Sequence, residues 1–237
     1  MRYARSVTEV ARHREVQAAA KAVLAALGES ITARDYERNI AERAAALLAA
    51  AGFADTWYYK CPALVLLGTR SCLSVSGRDY VPSDELVGEH NLVTVDLSPR
   101  REAYWGDCAR SFCIENGRHS PTPSDPVFRD GLALERELHT AMQSFATRTT
   151  TCDALFQHCN ALIRARGFEN LDFRGNLGHS IVQRLEDRAY IEAGSARRLG
   201  DMGLFTFEPH IRTRGGRWGF KHEDIYYFDD LGKLATL

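Results

Sequence analysis

No two of the six cysteines, at positions 61, 72, 108, 113, 152 and 159, stand in a CxxC pair. That spacing excludes a zinc ribbon and a dithiol redox motif, and scattered thiols fit reduced, packed cysteines better than a disulfide framework. Charge of one sign is equally scarce. Lys and Arg number 30 against 31 acids, a net charge of -1, which leaves no excess positive potential to hold a phosphate backbone or an anionic membrane. Neither nucleic acid nor membrane is therefore expected as a partner. Long apolar runs are missing too: the segment from Met1 to Gln17 carries four Arg and no core of signal-peptide length, and nothing further on could span a bilayer. These absences point to the cytoplasm. At 237 residues the chain can bury a large core as one domain covering 1–237.

Apolar residues recur at helical spacing from Val7 to Leu27, and Gly28-Glu29-Ser30 stops the run. A second helix is expected from Thr32, with Asp35 forming a capping box, through Leu47-Leu48 to Gly52-Phe53. The stretches Leu64 to Leu67, Leu92 to Val95 and Ala103 to Ile114 read as strands, the last following the turn-like Ser98-Pro99-Arg100-Arg101. Pro121, Pro123 and Pro126 interrupt the pattern, and Ser124 or Asp125 opens a helix reaching about Phe145. The next helix, from about Thr151, ends in Leu162-Ile163-Arg164-Ala165-Arg166-Gly167-Phe168, an echo of Leu47-Leu48-Ala49-Ala50-Ala51-Gly52-Phe53. The echo predicts an α+β chain of two similar halves, each giving two helices and then strands. Together they would form one curved antiparallel sheet with helices on its outer face.

Acids are uncommon inside strands, yet Asp96 follows the apolar run Leu92-Val93-Thr94-Val95 and Asp107 lies in Tyr104-Trp105-Gly106-Asp107. A hairpin with its midpoint between Arg101 and Glu102 sets these two acids opposite each other, with Cβ atoms about 4.5 to 5.5 Å apart. Glu208 and Glu223 repeat the pattern around Gly215-Gly216, a dipeptide suited to a two-residue turn. Opposed carboxylates destabilise a sheet unless something cationic lies between them. The neighbours Phe205, Phe207 and Phe220 are apolar, which favours metal ions over Arg or Lys as that cation. With the imidazole of His179, four carboxylates can hold two divalent ions about 3.5 to 4 Å apart, and such an oxygen-rich set suits Mn, Co, Fe or Zn. Singly, each of the five has an ordinary reading, a turn acid, a surface acid or a core histidine. Their arrangement as a set overturns it.

These segments resemble those of the pita-bread metallopeptidases, the group containing methionine aminopeptidase, aminopeptidase P and prolidase. The resemblance is carried, in order, by Asp96, by Gly106-Asp107, by Gly178-His179, by Phe205-Thr206-Phe207-Glu208-Pro209 and by Glu223. It implies the pita-bread fold, with Asp96 chelating one ion, Asp107 and Glu223 bridging two, and His179 and Glu208 completing the second site. Because the first helix starts almost at Met1, the extra N-terminal domain of prolidase-type relatives is expected to be absent. The implied activity is a metallohydrolase, aminopeptidase-like, that cleaves an amide of a small or peptide-end substrate by a metal-bridging hydroxide, with Glu208 as proton shuttle.

Two departures stand out. Relatives have a histidine near Ser76-Gly77-Arg78-Asp79 and another seven residues after the metal-binding one, where this chain has Glu186. His210 and His222 are the candidates to replace them as catalytic groups. A tailoring enzyme on a non-peptide metabolite and a non-catalytic binding relative are the competing readings. Arg78, Arg184 and Arg188 hint at an acidic group on the ligand. The oligomeric state stays open between a monomer and a homodimer.

Overall fold

The computed structural model describes residues 7–237; Met1 to Ser6, part of the stretch read for a leader, lie outside the described residues. Four helices, α1 (Val7–Ser30), α2 (Glu37–Ala50), α3 (Pro126–Phe145) and α4 (Cys152–Ala165), alternate with thirteen strands. In the first half these are β1 (Asp55–Thr56), β2 (Ala63–Leu67), β3 (His90–Leu97), β4 (Pro99–Arg101), β5 (Tyr104–Trp105), β6 (Cys108–Glu115) and β7 (Arg118–His119). The second half adds β8 (Phe168–Asn170), β9 (Leu204–Phe207), β10 (His210–Thr213), β11 (Phe220–Lys221), β12 (Asp224–Phe228) and β13 (Leu234–Thr236).

Helix starts written in local chemistry fall where the sequence puts them. Asp125 accepts the Val127 N–H at 2.8 Å with Pro126 in the first turn of α3, and Thr151 Oγ1 accepts the Ala154 N–H at 3.1 Å to open α4. The start of α2 differs from expectation. Asp35 takes the Thr32 N–H at 2.7 Å inside a turn, and the helix opens only at Glu37, where the Tyr36 N–H donates to Asn39 Oδ1 at 2.8 Å. The echo between the halves is a shared helix stop: Gly52 and Gly167 both adopt left-handed backbone, at φ +85° and +78°, and each hands on to a buried phenylalanine.

The fold is α+β in two similar halves, as the sequence predicts, with antiparallel strand groups β2-β3-β6-β7 and β1-β4-β5 in the first half and β8-β10-β11 and β9-β12-β13 in the second. Helices α1 and α2 pack on β6 and β2, while α3 and α4 pack on β10, β11 and β8, so each half has an apolar core of its own, and a third cluster, Trp57 and Trp105 with Ile181, Leu204, Ile225 and Leu237, is shared between the halves. The two halves join edge to edge. Ala109 bridges Glu223, and Ser111 Oγ both accepts the Lys221 N–H at 2.8 Å and donates to the Lys221 carbonyl at 3.2 Å. Among the described residues no helix is long and apolar enough to cross a membrane.

Candidate metal centre

The seam between the halves collects the acids. Strand β3 pairs with β6 so that Asp96 faces Ala109, because the turn falls at Glu102-Ala103, with Glu102 at φ +55°, one residue later than expected. Asp107 is therefore diagonal to Asp96 rather than opposite. Moving a turn by one residue shifts the pairing by two, which keeps both acids on one face. In the second half the register is as expected: Phe207 pairs with Asp224 and His210 with Lys221, which sets Glu208 against Glu223 where Pro209 interrupts the ladder. The connecting loop, however, runs over 214–219 instead of turning in two residues.

His179 is brought to these acids by a close backbone approach. At Gly178, with φ +146°, a Cβ would stand 2.1 Å from the Thr206 carbonyl oxygen, so only glycine lets β9 lie this near. Thr206 Oγ1 accepts the His179 N–H at 3.0 Å and donates to Glu208 Oε1 at 3.3 Å. Burial pushes the His179 imidazole down to about 4, so the ring is neutral. Its Nδ1 lies 3.1 Å from the Ser180 carbonyl, which can only accept. The proton thus sits on Nδ1, and the Nε2 lone pair faces Asp107 Oδ2 at 3.5 Å and Glu208 Oε1 at 3.7 Å.

Asp107 Oδ2 and both carboxylate oxygens of Glu223 are buried without a hydrogen-bond partner. One ligand atom from each of Asp107, His179 and Glu223 falls within 4.8 Å of the others. Burial, and then repulsion from neighbouring carboxylates, raises Asp107 and Glu223 well above the usual range. Lone pairs aimed at one point with no donor among them fit a divalent cation, and the mixed oxygen and nitrogen set suits Mn, Fe, Co or Zn.

The sequence reading set Lys and Arg aside as counter-charges, and there the structure corrects it. Lys221 Nζ lies 2.6 Å from Asp96 Oδ2, 3.1 Å from Glu208 Oε2 and 3.6 Å from Glu223 Oε2. The signal was available, since a residue two before Glu223 in an extended segment shares its face. The same alternation turns His222 away. Its Nε2 meets Asp224 Oδ2 at 3.0 Å on the opposite face, its ring lies 4.1 Å from that of His139, and it does not line the cavity over the acids. His139, His222 and Asp224 also come within ligand distance of one another, but Asp224 is already matched by Arg110 at 2.9 Å and Lys21 at 3.1 Å.

His210 is near the site but committed. It lines a small pocket with Glu208 and Lys221. Burial lowers it to about 4, and its Nε2 donates to the Ser71 carbonyl at 2.6 Å, so the neutral ring has no second proton to offer an oxyanion. Gln17, which sequence reasoning passed over, reads the backbone of Asp107 from α1: its Nε2 donates to Asp107 O and its Oε1 accepts the Asp107 N–H, both at 2.8 Å.

Above the acids opens a cavity of about 260 Å³ with Trp57, Tyr58, Tyr190, Arg174 and Arg188 in its walls. The Arg188 guanidinium lies 5.8 Å from the Trp57 ring centroid and 5.5 Å from that of Tyr190. Of the other arginines singled out, Arg184 is spent on Asp187 at 2.9 Å and Arg78 stacks on Tyr59. Ser76 lines the cavity while Gly77, Arg78 and Asp79 do not. Glu186 is exposed and 3.5 Å from Arg184, so no imidazole reaches the cavity from either place where relatives carry one. Cys108 is buried in the core of the first half, where burial pushes its thiol far up.

The sequence profile described as metallopeptidase family M24 matches residues 11–230. No curated protein matches the chain in sequence. Among solved structures, X-Pro aminopeptidase from Thermotoga maritima MSB8 superposes with a TM-score of 0.81 at 20% identity, over 100% of this chain and 62% of that one. Prolidase from Pyrococcus furiosus gives 0.80 at 21% identity, over 99% and 65%, and dipeptidase PepE from Mycobacterium ulcerans 0.78 at 23%, over 100% and 59%. The chain thus spans less than two thirds of the length of these structures.

Proposed function

Because the chain belongs to metallopeptidase family M24, we propose that it is a metal-dependent hydrolase acting on an amide bond of a small substrate or of a peptide end. One observation carries this reading: the buried, unpartnered oxygens of Asp107 and Glu223 converge with the His179 lone pair on the floor of a cavity. Asp107, His179 and Glu223 would hold a divalent ion, which when bound would supply Lewis acidity towards a carbonyl and lower the pKa of a bound water.

The chain's own groups supply the rest. Glu208 is the most open of the acids around His179, its side chain 17% exposed against 4% for Asp107 and 1% for Glu223. Burial opposes its ionisation, yet the Lys221 ammonium holds it below the usual carboxylate range. An ionised, hydrogen-bonded carboxylate at the cavity floor is placed to take a proton from water and pass it to the leaving amine. Arg188 in the wall can pair with a carboxylate on the substrate, while Trp57 and Tyr190 offer apolar faces beside it. The ligand set alone would accommodate two ions sharing Asp107 and Glu223. Lys221, standing among three of the same carboxylates, competes for that space.

Donors aimed at a developing oxyanion are worth about 10² to 10³ in turnover each, and the imidazoles that relatives use are missing. Ordinary methionyl and Xaa-Pro peptides should therefore be poor substrates even for fully loaded protein, with carboxylate-bearing small amides better. Assays of all three classes with Mn, Co and Fe test this. Methionyl peptides turned over fastest would overturn the substrate preference, and no amide cleaved by loaded protein would overturn hydrolysis.

A further inference from the structure

We infer that Lys221 fills one of the two cation positions of the centre, so that the chain takes a single divalent ion, held by Asp107, His179 and Glu223 beside a fixed ammonium. The inference rests on the metal-dependent reading above and narrows it.

Three observations lead here. The first is placement. Nζ stands 2.6 Å from Asp96, 3.1 Å from Glu208 and 3.6 Å from Glu223, while an ion bound by Asp96 would need carboxylate oxygens at about 2.0 to 2.2 Å. It would engage the oxygens that the ammonium already engages, with a like charge alongside. The second is that the demand for a cation is one-sided. Among the acids of the centre, the buried oxygens left without a partner belong to Asp107 and Glu223, whereas Asp96 and Glu208 are more open, at 23% and 17%, and each has the ammonium within 3.1 Å. An ion at the His179 end answers those oxygens, and the ammonium answers Asp96.

The third is that Lys221 has little room to leave. Its side chain is 19% exposed, and its backbone is tied on one side by the Ser111 hydroxyl and on the other by the register of β11 against β10. Strand alternation then fixes it on the face of Glu223. Lys221 also lines both cavities, so a substrate carbonyl beside an ion bound at Asp107, His179 and Glu223 would face a second positive charge of protein origin. Lysine suits this place as a compact point charge that donates to Asp96 and stands within ion-pair distance of Glu208 and Glu223.

Manganese loading of the full chain tests it, read by elemental analysis and by the electron paramagnetic resonance of Mn(II). Wild-type protein should take one ion per chain and show an isolated Mn(II) signal. Lys221→Met should take two and show a spin-coupled spectrum, while Lys221→Arg stays at one. Should Lys221→Met not fold, Asp96→Asn serves instead: it keeps the single ion here, whereas a two-ion centre would drop from two to one. Two ions per wild-type chain would overturn the inference and leave the metal reading standing. One ion in both wild type and a folded Lys221→Met would overturn the role given to Lys221. No ion in any of these proteins would overturn the metal reading itself.

Discussion

His179 shows how a single side chain can be prepared to act as a ligand. Burial keeps it neutral and the Ser180 carbonyl takes its Nδ1 proton, so Nε2 is left bare towards Asp107 and Glu208. His179→Ala should weaken Mn(II) binding by more than the 10- to 100-fold typical of losing an outer partner. His222→Ala, on the face opposite Glu223 in the segment between β11 and β12, should leave affinity near wild type. Calorimetric titration compares the two, and equal losses would show that the faces are misassigned. Gln17 is the complementary case, a side chain that acts only on backbone. Replacing it by Leu strips partners from the buried N–H and C=O of Asp107, at about 1 to 3 kcal/mol for each group left unsatisfied. Urea unfolding of the apo protein should show that loss. That four acids and one imidazole gather at the seam was legible in the sequence because strand acids are rare and spaced in pairs. Lys221 was discounted because its neighbours in sequence are apolar, although its neighbours in space are carboxylates.

At the scale of the element, legibility followed how local the cause is. The starts of α3 and α4 are set by Asp125 and Thr151 within three residues and were readable. The start of α2 was not, because the Thr32-Asp35 pair that mimics a capping box closes a turn instead. The strand registers were readable in parity but not to the residue. The turn at Glu102-Ala103 displaces the β3–β6 pairing, yet the shared face survives, so the functional inference tolerated the error. Gly178 is where an element most constrains the site, since β9 passes so close that Thr206 can touch both His179 and Glu208. Gly178→Ala must push β9 away or move His179. It should lower thermal stability and ion affinity together, and a variant that lost neither would show that the approach is looser than described.

For the whole molecule the centre makes stability depend on pH and on metal at once. Burial lowers His179 and His210 to about 4, below the roughly 6.5 of an unfolded histidine, so protons favour the unfolded chain between those values. Stability should fall as pH drops from about 6.5 to 4, by up to about 3 kcal/mol per histidine. Asp107 and Glu223 run the other way without an ion. Their folded pKa is raised, so their contribution is present in acid and lost as pH rises. Mn(II) bound at the proposed site would hold them ionised, so the thermal shift between loaded and chelated protein should be large near pH 7 and vanish towards pH 4.5. A shift independent of pH would contradict this assignment. The two halves share one apolar cluster and meet along a seam where Asp107 comes from the first and His179 and Glu223 from the second. Pro121, Thr122 and Ser124, between β7 and α3, are exposed. A chain opened at that link would be two fragments that the shared cluster brings together, and free metal would meter how firmly they stay joined, the proposed ion serving as a rivet between them.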